Sequence, residues 1–340
     1  MHMISRTTSA ACKVQSSIQA VLKATTAAAG SSSGSSSSSG TVSSGNGDDT
    51  DHRKVDSMRV DADSSTALKH GTGSKAIETA RAALLQHTGM GIPHIIHQVH
   101  GLYHDGPPRQ LTSMMSFKQL NPEYIHIMWG EADVNEFVDS YFPALATTFR
   151  HLHLPVLKAD LVRYLLVFTF GGVYSDMDTV CLKPIREWSS GQKDVSLIVG
   201  VEADTKGIPD WAKSYGRELQ MVQWTFAAAP GHPVLANTFF RISKLLSHMD
   251  PANISVNQVT ATTGPSVWTD AVYDHIAAQG LDWRSLMGMR SATQIGDMYL
   301  LTITGFSPGV GHMGAGTEHH PDARVMHSFQ GSWTKQKPAM

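Results

Sequence analysis

The sequence predicts an α/β fold with a mostly parallel central sheet flanked by helices. Three observations support this prediction. Segments typical of strands alternate with helical segments after residue 90, which favours parallel strands joined by helical crossovers. Several of the strand segments are continuous apolar runs, as expected for strands buried on both faces. A pair of aspartates follows one short apolar segment, at the position where ligands bind on such sheets.

Composition divides the 340 residues into three regions. Residues 1–72 are predicted to be disordered, because residues 31–46 are almost wholly Ser and Gly and the chain stays polar beyond them. Residues 73–90 predict a stem helix with an apolar face. Residues 91–340 have ordinary globular composition and suffice for one α/β domain.

The predicted elements of this domain follow from apolar periodicity and from turn residues. We expect strands at residues 92–99, 124–129, 195–201, 221–228 and 298–304. We expect helices at residues 74–86, 155–170, 233–246 and 265–278. Proline at the first position of the last three helices suits a helix start.

The helix at 155–170 carries polar residues on an otherwise apolar segment. Asp160, Arg163 and Tyr164 have i, i+3 and i+4 spacing and therefore share one face. One interpretation is a salt bridge within the helix, which would contribute little to stability. The other is that a buried Asp and Arg need polar partners, which a bound ligand can supply.

Asp176 and Asp178 form the most informative motif. They stand one residue apart behind Gly171-Gly172 and a short apolar stretch. Paired carboxylates at the end of a strand can hold a hard divalent cation, which often bridges the protein to a substrate diphosphate. A lone D-x-D motif also arises by chance on solvated loops, so its setting after a buried helix is what favours the metal interpretation.

Several classes of function receive no support. A net charge of −2 and the absence of an aromatic-basic motif argue against nucleic acid as a partner. His94, His97 and His100, and the pair His319-His320, lack the Cys/His spacing of a zinc site. The two cysteines are poorly placed for a stabilising disulfide.

The N-terminal 47 residues contain no acidic residue, carry Arg6, Lys13 and Lys23, and are rich in Ser, Thr and Ala. This composition resembles a transit peptide more than a secretory signal, and a disordered tail without an address is the alternative. No run of about 18 apolar residues occurs, so we identify no membrane anchor in the sequence as given, and membrane association stays open. Asn253-Ile254-Ser255 is a glycosylation sequon that matters only in the secretory route.

The motifs at 154–188 (A-D-x-x-R-Y, G-G-V-Y-S-D-M-D-T and L-K-P-I) resemble the DXD sugar transferases of glycosyltransferase family 32. Colinear segments extend the resemblance over about residues 92–334, including Gln223-Trp224, Thr263-Gly264-Pro265 and His327 through Trp333. Within the family, the chain is most similar to the fungal α-1,6-mannosyltransferases that initiate the outer chains of N-glycans.

The resemblance implies a GT-A-type nucleotide-sugar-binding fold for residues 91–340, as a glycosyltransferase catalytic domain. It implies GDP-mannose as donor, Mn²⁺ or another divalent cation as cofactor, a glycan acceptor on a glycoprotein, retention of configuration, and residence in the Golgi lumen. The stretch after Gly264-Pro265 is shorter than in the initiating enzymes, so the acceptor is less firmly indicated than the donor.

The resemblance also implies roles for individual residues. The expected metal ligands are Asp176, Asp178 and His327. The expected catalytic residues are Asp176, Asp178 and Arg163. The expected donor-binding residues are Asp160, Arg163, Tyr164, Gly172 and Trp333.

Other polar residues and other functions stay open. Gln223, Glu202 and Asp204 could lie near the anomeric carbon or the acceptor, but we interpret them as loop or edge residues. Mannan elongation and transfer to inositol phosphoceramide are alternatives within the family, and a non-catalytic nucleotide-sugar-binding relative is a third. Asp176-Met177-Asp178-Thr179-Val180 also matches the acid loop of haloacid-dehalogenase-type phosphatases, but here a helix and two glycines precede it.

Overall fold

A computed structural model describes residues 73–87, 89, 91–102 and 111–329 of the chain. Its α-helices are α1 Lys75–Gln86, α2 Leu111–Leu120, α3 Glu131–Tyr141, α4 Pro143–His151, α5 Pro155–Phe170, α6 Pro233–Leu246, α7 Val259–Thr262, α8 Pro265–Ala278 and α9 Ile303–Phe306. Its strands are β1 Ile95–Val99, β2 Ile125–Trp129, β3 Gly172–Ser175, β4 Thr179–Cys181, β5 Leu197–Asp204, β6 Leu219–Met221, β7 Thr225–Ala228, β8 Thr293–Ile295, β9 Met298–Leu301 and β10 Val325–His327.

The central sheet has the order β2-β1-β3-β7-β5-β9-β8, with β6 paired to β5. The pairs β1–β2, β1–β3 and β5–β9 are parallel, whereas β7 runs antiparallel to both of its neighbours. Strands β2, β1, β3, β5 and β9 therefore all point the same way, and β7 and β8 oppose them. The predicted fold class, a mostly parallel sheet flanked by helices, is confirmed.

Helix α5 is the centre of the core. Fourteen of its 16 residues are buried, and it packs against α6, β1 and β3. The helical spacing of Leu157, Leu161, Leu165 and Phe168 predicts one buried stripe. The helix is instead buried nearly all round, as expected for an apolar helix enclosed between a sheet and other helices. Its polar residues Asp160, Arg163 and Tyr164 are therefore buried.

Gly172 explains how β3 can lie so close to β1. A Cβ atom at this position would lie 2.5 Å from the carbonyl oxygen of Ile95, and its φ of +98° is a conformation that other residues rarely adopt. The preceding Gly171, with φ +65°, ends α5. The two glycines thus turn the chain from the buried helix directly into the central strand, which carries the acidic pair at its end.

Most predicted elements occur, although the strands expected at 92–99 and 195–201 have shifted bounds, and two others differ in their course. The expected strand at residues 221–228 is interrupted at Val222–Trp224, which separates β6 from β7. The expected strand at 298–304 ends at Leu301 and continues into the short helix α9. The predicted stem helix is α1, whose Ile77 and Ala80 are part of the main core.

A second, two-stranded sheet joins β4 to β10 in antiparallel register, with His327 opposite Thr179. This small sheet brings the far end of the described chain to the segment that carries Asp176 and Asp178. The predicted disordered region, residues 1–72, lies outside the described residues. No helix in the described ranges is long and apolar enough to cross a bilayer.

Candidate functional site

The candidate site lies where β3 ends, between the central sheet and the small β4–β10 sheet. The backbone N–H of Asp176 donates to the carbonyl oxygen of Trp224 at 2.8 Å, and the Gln98 side chain on β1 donates to the Asp176 carbonyl at 3.3 Å. These bonds fix the first aspartate at the carboxyl ends of the parallel strands, where ligands bind in sheets of this kind.

Asp176 is held by two side chains at one of its carboxylate oxygens. Arg163 Nη2 lies 3.2 Å from Oδ1, and the Tyr174 hydroxyl donates to the same oxygen at 2.7 Å. The Arg163 guanidinium carbon also lies 5.2 Å from the centroid of the Tyr174 ring, within the range of a cation–π contact. The carboxylate is thus oriented by buried groups and keeps its second oxygen for another partner.

Asp160 anchors the other side of Arg163. Its Oδ1 lies 2.7 Å from Arg163 Nη1, and its Oδ2 accepts a hydrogen bond from Thr263 at 3.0 Å. Gln223 Nε2 donates to Asp160 at 3.4 Å, and the Tyr164 hydroxyl donates to Gln223 at 2.5 Å. The salt bridge within the helix is therefore present, and Asp176, Thr263 and Gln223 supply further polar partners, so the interpretation that a ligand contacts this pair stays a prediction.

Burial governs the charges of this cluster. It raises the pKa of Asp160 to about 6, although Arg163 opposes the shift. Burial also raises the pKa of Asp176, and the nearby charge of Asp178 adds to this shift, whereas Arg163 lowers it. For Arg163, burial disfavours the charge, but Asp176 and Asp160 more than offset this and its pKa is raised well above the ordinary value. A cation beside the aspartates would favour their ionised forms.

His327 joins the pair of aspartates through the small sheet. Its Nε2 lies 3.1 Å from Asp178 Oδ1, and the backbone N–H of Ser328 donates to the Asp178 carbonyl at 2.9 Å. The imidazole stacks on the Trp224 ring with centroids 4.6 Å apart, which fixes its orientation. A residue nearly 150 positions away in sequence is thereby held against the DXD motif.

The three predicted metal ligands form one group. One ligand atom each from Asp176, Asp178 and His327 lies within 4.8 Å of the others. Two carboxylate oxygens and one imidazole nitrogen suit Mn²⁺, which accepts both ligand types, better than Mg²⁺, which favours oxygen alone. The donor set therefore fits the cation that the sequence resemblance implies.

The remaining predicted site residues are distributed differently. Tyr164 is fully buried and contacts the site through Gln223. Gly172 is buried in β3, where the close approach to Ile95 accounts for a glycine. Trp333 lies outside the described residues, so its expected role in donor binding stays a prediction.

Sequence reasoning missed or undervalued four residues. Tyr174 and Thr263 were quoted only within motifs and given no role, although each bonds to a site carboxylate. Gln223 was interpreted as a loop or edge residue, but it bridges Tyr164 and Asp160 from the interruption between β6 and β7. Glu202 received the same interpretation, and it lines a cleft beside His327. A polar residue between two apolar strand segments was the available signal for Gln223.

Comparison with known proteins agrees with this geometry. Residues 107–194 match the model of the glycosyltransferase sugar-binding region containing a DXD motif. The chain is 38% identical to an initiation-specific α-1,6-mannosyltransferase of Schizosaccharomyces pombe, over 66% of this chain and 60% of that protein. It is 34% identical to the protein of the same name from Candida albicans, over 67% of each chain.

A more distant relative is a mannosyl phosphorylinositol ceramide synthase of Saccharomyces cerevisiae, 28% identical over 51% of this chain and 40% of that protein. The chain thus spans 60% of the length of the fission-yeast relative and two thirds of the Candida relative. The first two names specify an α-1,6 mannosyl linkage, and the third specifies a mannosylated lipid product.

Proposed function

The chain belongs to the family of glycosyltransferases with a DXD-containing sugar-binding region, glycosyltransferase family 32, and on that premise we propose that it is a metal-dependent, retaining mannosyltransferase. The donor is GDP-mannose, and the product is an α-1,6 linkage on the core of an N-linked glycan. The observation that carries the proposal is the group of Asp176, Asp178 and His327, with ligand atoms within 4.8 Å of one another.

The site has the charges that transfer from a nucleoside diphosphate sugar requires. When bound, the divalent cation supplies positive charge that stabilises the departing diphosphate without a proton. Asp176 and Asp178 would hold that cation, together with His327. Because Arg163 and Tyr174 already orient Asp176, the carboxylate need not reorganise when the ligands bind.

Arg163 has a second role in this proposal. Its guanidinium lies between Asp160 and Asp176, buried and charged, at the edge of the metal group. From there it contributes positive charge near the donor without leaving its two carboxylate partners. Thr263 and Gln223 hold Asp160 in place, so the arginine is positioned by a network rather than by one bond.

The relatives support the choice of acceptor. The two proteins with the highest identity given above are named initiation-specific α-1,6-mannosyltransferases, which favours an α-1,6 mannosyl linkage. The N-glycan acceptor and residence in the Golgi lumen are proposed from the family resemblance of the sequence. The similarity to a mannosyl phosphorylinositol ceramide synthase keeps an inositol phosphoceramide acceptor as a second candidate. The donor chemistry is the same in both cases.

Mannose transfer from GDP-mannose tests the proposal directly. We expect purified protein with Mn²⁺ to extend a high-mannose oligosaccharide through an α-1,6 linkage, identified by NMR, in preference to inositol phosphoceramide. Chelation of the metal, Asp176→Asn and Asp178→Asn should each abolish transfer, whereas the exposed control Asp139→Asn should retain it. Transfer that continues without a divalent cation, or no use of GDP-mannose, would contradict the proposed function.

A further inference from the structure

A cleft of about 430 Å³ opens next to the metal group, on the side of β5 and away from β1 and β2. His327 is shared between the cleft and the metal group. The other wall residues that matter here are Glu202, Tyr215, His312, Glu318 and Phe329. A ligand in this cleft would therefore lie beside the reacting centre without occupying the metal group itself.

The sheet is irregular where Glu202 stands. Along the β5–β6 pair, Val201 is opposite Met221 and Ala203 is opposite Gln220, so Glu202 is an extra residue in β5. Such a β-bulge redirects the side chain of the extra residue and is frequent next to active sites. The bulge accounts for a carboxylate facing the cleft from a strand whose other residues are mostly buried and apolar.

One of the two Glu202 carboxylate oxygens lacks a hydrogen-bond partner among the described residues. Gln220 donates a hydrogen bond to it, and the amide is oriented for this because its oxygen accepts from the Gly216 N–H at 2.9 Å. Oε2 is buried and has no hydrogen-bond partner among the described residues. A buried carboxylate oxygen without a partner is unfavourable, so a ligand that donates a hydrogen bond there would be stabilised.

The charge of the cleft indicates which ligand this is. Among the described residues, its lining includes the acidic side chains of Glu202 and Glu318 and contains no lysine or arginine, so it is unsuited to a diphosphate. Hydroxyl groups donate well to carboxylates, and the Tyr215 and Phe329 rings offer faces for the C–H side of a sugar. The Tyr215 hydroxyl and His312 Nε2 lie 3.0 Å apart and connect the two walls. The cleft suits an uncharged sugar.

We propose that this cleft binds the acceptor sugar and that Glu202 accepts a hydrogen bond from one of its hydroxyl groups through Oε2. The proposal rests on the mannosyl-transfer function proposed above and adds the place and one residue of acceptor recognition. Glu202 is a binding residue in this proposal and takes no part in holding the cation or the diphosphate.

Glu202→Gln tests the proposal, because it keeps the shape and replaces one carboxyl oxygen by an amide nitrogen, which cannot accept a hydrogen bond. With a high-mannose oligosaccharide, we expect the KM for the acceptor to rise about tenfold, as for the loss of one hydrogen bond. The KM for GDP-mannose and the slow hydrolysis of GDP-mannose by water should stay within about twofold of wild type, since neither uses the acceptor. Saturation-transfer NMR should show weaker contact with the oligosaccharide. Glu187→Gln, exposed and outside the cleft, is the matched control.

The outcomes separate the two proposals. Unchanged KM and unchanged NMR contact in Glu202→Gln, with wild-type protein active, would overturn the acceptor assignment and leave the mannosyltransferase function intact. A rise in the KM for GDP-mannose with faster or slower donor hydrolysis would also overturn it, because Glu202 would then contact the donor sugar. A wild-type protein that neither transfers nor hydrolyses GDP-mannose would instead refute the function proposed above.

Discussion

At the scale of single residues, the site depends on charges that are buried together. Arg163 is 4% exposed and Asp160 is 1% exposed, and each is the other's closest ionic partner. An unpaired buried charge is far less favourable than a paired one, so these residues constrain one another through stability as well as through function.

Removal of Arg163 should destabilise the fold. Arg163→Met leaves Asp160 and Asp176 without their common cation, and we expect a loss of about 3–5 kcal/mol in the free energy of unfolding. Asp160→Asn combined with Arg163→Met should recover part of this loss, since one uncompensated carboxylate is then removed. Urea unfolding of the single and double variants measures both effects. Equal stability of Arg163→Met and wild type would show that the pair contributes nothing to the fold.

Metal affinity should depend on pH through Asp176. Burial raises its pKa, so protons compete with a cation at pH values where an exposed carboxyl would already be ionised. Acidification therefore protonates the Asp176 carboxylate and weakens the binding of Mn²⁺. We expect calorimetry to give a higher Kd at mildly acidic pH than at neutral pH, and Asp178→Asn to bind weakly at both. An affinity that is the same at the two pH values would argue against Asp176 as a ligand.

At the scale of elements, the glycine pair that joins α5 to β3 positions the DXD motif. Gly172→Ala would place a methyl group 2.5 Å from the Ile95 carbonyl oxygen at a φ of +98°. We expect the free energy of unfolding to fall by about 3 kcal/mol or more, because the close contact and the backbone strain act together. Gly231→Ala is the control, because its φ is +72° but no atom lies within 4 Å of the added carbon. Its free energy of unfolding should fall by about 1–2 kcal/mol, because only the backbone strain acts there. Thermal unfolding that ranks the two variants in the opposite order would contradict this account.

A second polar cluster fastens α6 and α8 to the sheet. Asp297, just before β9, lies 3.2 Å from His232 Nε2 and 3.1 Å from His275 Nε2, and the Ser196 hydroxyl donates to it. The hydrogen bond from His232 is the main reason that the pKa of Asp297 is lowered, with Ser196 and the two histidines acting in the same direction. The cluster lies outside the metal group, so its effect should be on stability alone.

Asp297→Asn should therefore destabilise the protein in a pH-dependent way. A carboxyl with a lowered pKa contributes stability above its unfolded pKa of about 3.9 and loses that contribution as pH falls through the folded value. We expect the free energies of unfolding of wild type and Asp297→Asn to differ by about 1 kcal/mol at neutral pH. The difference is small because the Asp297 side chain is 41% exposed. Chemical denaturation across the acidic range should show the two proteins converging. A difference in the free energy of unfolding that grows on acidification would contradict this prediction.

The elements that sequence predicted well have strong local signals. Helices α5, α6 and α8 occur with the predicted bounds, because each begins with proline and keeps a long apolar period. Strands β4 and β10 have three residues each and pair across more than 140 positions, so no local pattern reveals them. The bulge at Glu202 depends on pairing with β6 and was equally invisible, which is why that residue was interpreted as an edge position.

At the scale of the molecule, the site is assembled from distant segments that only the fold unites. Asp160 and Arg163 come from the central helix, Asp176 and Asp178 follow the central strand, and His327 comes from β10. The sequence named all five from local motifs and a family resemblance, but it could not reveal the contact of Thr263 with Asp160, which spans 103 positions. Contacts of that kind follow from the packing of whole elements.

This assembly predicts that the metal should stabilise the end of the described chain. His327 and Asp178 belong to different segments, so a cation bound by both would link β10 to the DXD loop and oppose local opening. We expect Mn²⁺ with GDP to slow amide hydrogen exchange at residues 325–329 about tenfold or more, while exchange in α8, which carries none of the three proposed metal ligands, changes little. In His327→Gln the protection at 325–329 should be lost, although residual binding of Mn²⁺ by the two aspartates can remain. Protection that persists in this variant would show that β10 is held by its pairing with β4 alone and that His327 is not a ligand.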